Sequence, residues 1–160
     1  VTVLPGKIVS GGQTGVDRAA LDFAEEAGIE HGGWCPRGRR AEDGTSPKKY
    51  RLTETDSDRY EDRTRFNVRD SDGTLVLTVG QPSGGTRLTV QIATELAKPL
   101  LVIDLDDETG AVALNDWLSE NAIETLNVAG PRESGLPGIR DRALAYLRRY
   151  LRANGEVPCR

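Results

Sequence analysis

Residues 7–20 read Lys7-Ile8-Val9-Ser10-Gly11-Gly12-Gln13-Thr14-Gly15-Val16-Asp17-Arg18-Ala19-Ala20. A short apolar run turns through glycines and opens into Val16, Ala19, Ala20, Phe23, Ala24 and Ala27, which share one helical face, with Gly28 as the stop. The same order recurs mid-chain. Thr74–Val79 is the clearest strand, Pro82-Ser83-Gly84-Gly85-Thr86 the turn, and Leu88, Ile92, Ala93 and Leu96 the apolar positions of a following helix. Strand, glycine turn and helix, twice over, is the signature of a parallel α/β sheet.

The remaining chain extends that pattern. Ile29–Trp34 reads as a second strand, Tyr60–Arg69 as a helix, Pro99–Leu105 as a strand, Thr109–Asn121 as a helix and Glu124–Ala129 as a last strand. The closing helix carries Ile139, Ala143, Tyr146, Leu147 and Tyr150 on one face. About five alternations predict a doubly wound parallel sheet of about five strands with helices on both faces, residues 1–160 forming a single domain. Residues 35–58 show little periodicity and read as a long functional loop.

In such a sheet each strand-to-helix loop lies at the carboxyl edge, where ligands bind. Three loops there, residues 10–16, 80–87 and 129–138, carry unusual chemistry. Glycine permits close backbone approach, and the first turn of a helix points unpaired N–H groups at negative charge. The candidate anion-binding residues are therefore Ser10, Gly11, Gly12, Gln13, Thr14, Gly15 and Asp17 in the first loop and Ser83, Gly84, Gly85 and Thr86 in the second. Arg132 and Ser134 come from the third. For Asp17 the sequence leaves two roles open, interaction with the helix N-terminus and contact with a ligand. Residues 37–51 hold six cations against two carboxylates, so Arg37, Arg39 and Arg40 are read as a basic lid, with Arg63 reaching in from the next helix.

Composition narrows the partners. A net charge of -4 and pI near 5.1 disfavour a nucleic-acid binder. Cys35, Cys159 and His31 do not make a metal-ligand set. No stretch is long and apolar enough to span a membrane, and residues 1–9 lack a secretory pattern, so no membrane partner and a cytoplasmic setting are expected.

Three stretches together resemble a known family. They are Ile8 to Asp22, Gly33-Trp34-Cys35-Pro36-Arg37-Gly38-Arg39-Arg40-Ala41-Glu42-Asp43-Gly44, and Asn127-Val128-Ala129-Gly130-Pro131-Arg132-Glu133-Ser134. They look like the molybdenum carrier proteins, in the circularly permuted YpsA-like branch of the superfamily that includes DprA/SMF and the LOG phosphoribohydrolases. The resemblance implies a Rossmann-like fold, a homo-oligomer (dimer or tetramer), and binding of molybdate, molybdenum cofactor or a nucleotide. LOG enzymes carry a Pro-Gly-Gly-x-Gly-Thr-x-x-Glu motif whose glutamate is catalytic. Here the matching stretch is one residue shorter and Thr89 stands where that glutamate would be. The sequence thus reads as a carrier of a small anionic ligand with no catalytic residue assigned. The alternative is a nucleotide-processing enzyme in which Asp17 or Glu54 replaces the missing carboxylate.

Overall fold

A computed structural model describes residues 4–107, 109–110 and 113–151. The elements in chain order are β1 (Lys7–Val9), α1 (Val16–Ala27), β2 (Glu30–Gly32), β3 (Trp34–Cys35), β4 (Arg40–Ala41), β5 (Gly44–Thr45), β6 (Thr53–Glu54) and α2 (Tyr60–Arg69). There follow β7 (Gly73–Thr78), α3 (Gly84–Glu95), β8 (Leu100–Asp104), α4 (Leu114–Glu120), β9 (Thr125–Ala129) and α5 (Ile139–Tyr150).

The main sheet has five strands in the order β2-β1-β9-β7-β8, every pair parallel. The chain moves outward from β1 to β2, restarts at β7, moves outward the other way to β8, and returns to place β9 in the centre. The order therefore reverses around β9, and the loops after β1, β7 and β9 converge at one edge.

Strand alternation divides the sheet into two unlike faces. Leu75, Leu77, Leu126, Val128, Ile8 and Ile103 join residues of α1, α4 and α5 in one large core. Each such side chain contributes roughly 1.5–3 kcal/mol by leaving water. A smaller cluster, Val68, Ile92 and Ala93, lies between α2 and α3. The intervening positions Thr74, Thr78 and Asn127 are buried but polar, with Asn127 Nδ2 donating to Thr74 Oγ1 at 3.2 Å. One face is thus a large apolar core, and the other, which also carries buried Val76, is polar at Thr74, Thr78 and Asn127.

Three expectations need correction. Ile29–Trp34 is not one strand. The backbone of Gly33 lies against β1, where a Cβ would come within 2.2 Å of the Ser10 carbonyl, and its φ of +125° turns the chain out of the sheet. β3 then pairs with β6 in a separate two-stranded ladder. The helix expected over 109–121 begins only at Leu114, with residues 108, 111 and 112 outside the described set. The segment 35–58 is structured: β4 and β5 form a hairpin with Glu42 and Asp43 at its turn. Cys159 also lies outside the described residues, and Cys35 is buried. Among the described residues no helix is long and apolar enough to cross a membrane, and none of the His, Cys, Asp and Glu side chains gather into a metal site.

Candidate functional site

The three loops enclose a cavity of about 420 Å³, floored by Thr78, Asn127 and Val128 and walled on the far side by Tyr60, Arg63, Thr64 and Asn67 of α2. That volume falls within the roughly 300–1,000 Å³ of small-molecule sites. The glycine loops bordering it differ sharply in what they leave free.

The first loop spends its polar groups on holding itself together. Gln13 N–H donates to Asp17 Oδ2 at 3.1 Å, Thr14 N–H to Gln13 Oε1 at 3.1 Å, and Val16 N–H to the Pro131 carbonyl at 3.2 Å. Ser10 Oγ donates to the Asp17 carbonyl at 2.9 Å, and the Gly12 carbonyl accepts from Ser46 Oγ at 2.7 Å. Its glycines answer to close packing. A Cβ at Gly15 would meet the Pro131 carbonyl at 2.3 Å, and one at Gly11 would meet Arg63 Nη1 at 1.6 Å. Gly11, Gln13 and Asp17 reach the cavity wall; Ser10, Gly12, Thr14 and Gly15 stand behind it.

The second loop is open. Ser83, Gly84, Gly85 and Thr86 all line the cavity. Ser83 precedes α3, so Gly84 and Gly85 supply first-turn N–H groups that have no intrahelical partner. No acidic side chain lies in that turn to offset the positive end of the helix dipole. A Cβ at Gly84 or Gly85 would meet nothing within 4 Å. Gly84 has φ of +53°, but Gly85 is not among the positive-φ glycines, so neither packing nor backbone requires glycine at 85.

The arginines divide likewise. Arg63 lies on the wall, its Nη1 donating to Asp17 Oδ2 at 2.9 Å, with both side chains nearly buried. Arg132 also lies on the wall, 3.6 Å from Glu42. Arg37, Arg39 and Arg40 do not line the cavity. Arg37 donates to the Asp56 carbonyl, Arg39 to the carbonyls of Ser46, Pro47 and Tyr50, and Arg40 to that of Asp58 while lying over the Tyr60 ring. They hold the 35–58 segment in shape. Ser134 is likewise drawn away, its N–H and hydroxyl both donating to Glu42.

Glu42, which no sequence pattern singled out, is the clamp of this edge. Its carboxylate accepts from Ser134 and from Thr14 Oγ1, while its N–H donates to Gln13 Oε1 at 2.9 Å. Beside it Asp43 takes both guanidinium nitrogens of Arg18. Hydrogen bonds from the hydroxyls of Ser134 and Thr14 hold the Glu42 carboxyl below its ordinary value of 4.5. A depressed carboxyl stabilises above its ordinary pKa and loses that contribution as pH falls through the folded value. Acidification below 4.5 is therefore expected to free the β4–β5 hairpin first, read as faster amide exchange over residues 40–45 than in the main sheet. Glu42→Gln is expected to show the same exchange already at neutral pH.

Asn127 and Thr78 also escaped sequence reading as site residues, although a polar side chain inside an apolar strand is a legible signal. Thr89, on the wall, donates to the Gly85 carbonyl at 3.1 Å, and Glu54 accepts from Gly38 N–H away from the cavity. Asp17 is thus the one carboxylate on the wall among the described residues. Burial raises its pKa above 3.8, outweighing the opposing pull of Arg63 and the Gln13 N–H.

The sequence matches the circularly permutated YpsA SLOG family over residues 8–151. Among solved structures, the chain is similar to one described as "Putative molybdenum carrier protein" from Syntrophus aciditrophicus SB, at 45% identity and a TM-score of 0.91. The match covers 93% of this chain and 96% of that one. No curated protein matches the chain significantly.

Proposed function

We propose that this chain, which belongs to the circularly permutated YpsA SLOG family, is a carrier that holds a small anionic ligand, molybdenum-containing or phosphate-bearing, in the cavity between its glycine loops. The observation that carries this reading is Gly85. It sits in the first turn of α3, faces the cavity, and has open space where a Cβ would be. Glycine there costs roughly 1 kcal/mol against alanine in helix propensity, and the close approach of a ligand to the backbone accounts for keeping it.

The ligand's anionic group sits against the N–H groups of Gly84 and Gly85, with the Thr86 and Ser83 hydroxyls beside them. Gln13, Arg63 and Arg132 complete the polar wall, and Leu88, Val79 and Leu136 give it an apolar part. The neighbour's description as a molybdenum carrier supports molybdate or molybdenum cofactor as cargo. The fit of the cavity to a small organic molecule supports a nucleotide or pterin phosphate equally. Homo-oligomeric assembly and a cytoplasmic setting belong to the same reading, the first checked by light scattering.

The test is calorimetric titration with molybdate, inorganic phosphate and adenosine monophosphate, each sample then assayed for released base. Binding of at least one of the three without base release is the expected result; base release would replace the carrier by the nucleotide-processing enzyme. Gly85→Ala is expected to leave the melting temperature unchanged or higher while weakening binding by about tenfold or more, since the methyl fills the cradle without touching the fold. Unchanged affinity in that variant would remove the anion from this turn.

A further inference from the structure

Asp17 is the anomaly in a cavity read as an anion site. A carboxylate facing an oxyanion is repelled by it, and two sets of lone pairs are opposed unless a hydrogen lies between them. The side chain is only 7% exposed, and its two oxygens are used unequally. Oδ2 accepts from both Gln13 N–H and Arg63 Nη1. Oδ1 accepts no hydrogen bond among the described residues.

The surroundings repeat that imbalance. Gln13, Thr78 and Thr86 are each more than nine-tenths buried and lie on the same wall. The Gln13 amide nitrogen and both threonine hydroxyls have no hydrogen-bond partner among the described residues. Asn115 Oδ1 is the one fully buried unpaired side-chain polar atom among the described residues, so these unpaired groups of buried residues open onto the cavity, and the set describes the partner that would pair them. That partner offers acceptors to Gln13, Thr78 and Thr86 and a donor to Asp17.

Resting on the reading of the cavity as an anion site, we propose that Asp17 selects the ligand by the hydrogen it brings. The cavity takes an anion that also presents an O–H or N–H to Asp17 Oδ1, most fully a phosphate ester bearing hydroxyl or ring N–H groups. It turns away tetrahedral oxyanions that carry no hydrogen at neutral pH, such as sulfate and molybdate. Molybdenum then enters on an organic phosphate and not as the free oxyanion. Inorganic phosphate, which keeps a proton at neutral pH, is the smallest ligand that meets the requirement.

Calorimetry on the full chain with inorganic phosphate, sulfate and molybdate tests this. Wild type is expected to prefer phosphate over sulfate and molybdate by about tenfold or more, and Asp17→Asn to bring the three within about threefold, because an amide donates as well as accepts. Freeing Arg63 in that variant strengthens all anions alike, so the ratio between them isolates the hydrogen bond. Equal binding of sulfate and phosphate by wild type overturns the proposal, as does a ratio that Asp17→Asn leaves unchanged. The wild-type ratio decides even where the variant does not fold. Absence of binding by all three and by adenosine monophosphate, or full binding in Gly85→Ala, overturns the anion-site reading and this proposal with it. A failed ratio with Gly85-dependent binding overturns the selection by Asp17 alone.

Discussion

Arg63→Met is expected to destabilise the protein by about 3–5 kcal/mol at neutral pH, the range for removing one partner of a buried ion pair. The cost follows from what remains. Asp17 would keep only the Gln13 N–H, with its charge enclosed beneath the first glycine loop. Burial already raises its pKa above 3.8, and the attraction of Arg63 is the largest cause working against that rise. Without Arg63 the folded-state pKa climbs further while the unfolded value stays put. A carboxyl raised in the folded state binds more protons there, so stability falls as pH rises from the unfolded pKa through the folded one. The deficit of the variant is thus expected to be fully present above the folded pKa and to shrink as pH falls toward and below 3.8, where Asp17 becomes protonated in both states. Urea unfolding of wild type and variant across the acidic range measures it. A deficit that does not change with pH would mean that Arg63 acts through packing over Gly11 and not through charge.

Gly33→Ala is expected to be at least as damaging, with a loss of about 3 kcal/mol or more from a strained backbone and a steric clash together. The new methyl would stand 2.2 Å from the Ser10 carbonyl oxygen and 2.8 Å from its nitrogen, at a φ of +125°. Both contacts are backbone of Ser10, the residue that follows β1, and neither has a flexible end to give way. The effect reaches the site, because Ser10 N–H donates to the Gly32 carbonyl at 3.2 Å and Asn67, also packed there, holds Trp34 N–H at 2.7 Å. Gly38→Ala is the control. Its φ of +75° is also left-handed, but a Cβ there meets nothing within 4 Å, so only the conformational cost of about 1 kcal/mol is expected. Thermal or urea unfolding of the pair separates clash from strain; similar losses in both would show that the approach of residue 33 to β1 contributes nothing.

The glycine loops show how far local sequence carries a site. Both were legible as strand-to-helix turns at one sheet edge, because a glycine's backbone freedom and the spacing of apolar residues are properties of a few neighbouring residues. Their difference was not. Gly11, Gly12 and Gly15 are held by contacts with Arg63, Ser46 and Pro131, whereas Gly84 and Gly85 face open space. The cations repeat the lesson: a run of arginine and lysine attracts anions, yet the loop's own carbonyls claimed Arg37, Arg39 and Arg40.

The sequence by itself determined the alternation of strands and helices, the parallel main sheet, the carboxyl edge as the place of the cavity, and the helix that carries Arg63. Each rests on periodicity or backbone conformation, which short segments fix for themselves. The tertiary structure alone decided that β9 closes the centre of the sheet and that Gly33 ends the second strand. It also made Glu42 the clamp across three loops and paired Asp17 with Arg63. Those outcomes depend on groups far apart in the chain, as with Thr14 and Glu133, 119 residues apart and joined by one hydrogen bond. Which of several competing partners a polar group takes is settled only when the whole chain has packed, because each unpaired buried group costs more than most local preferences supply.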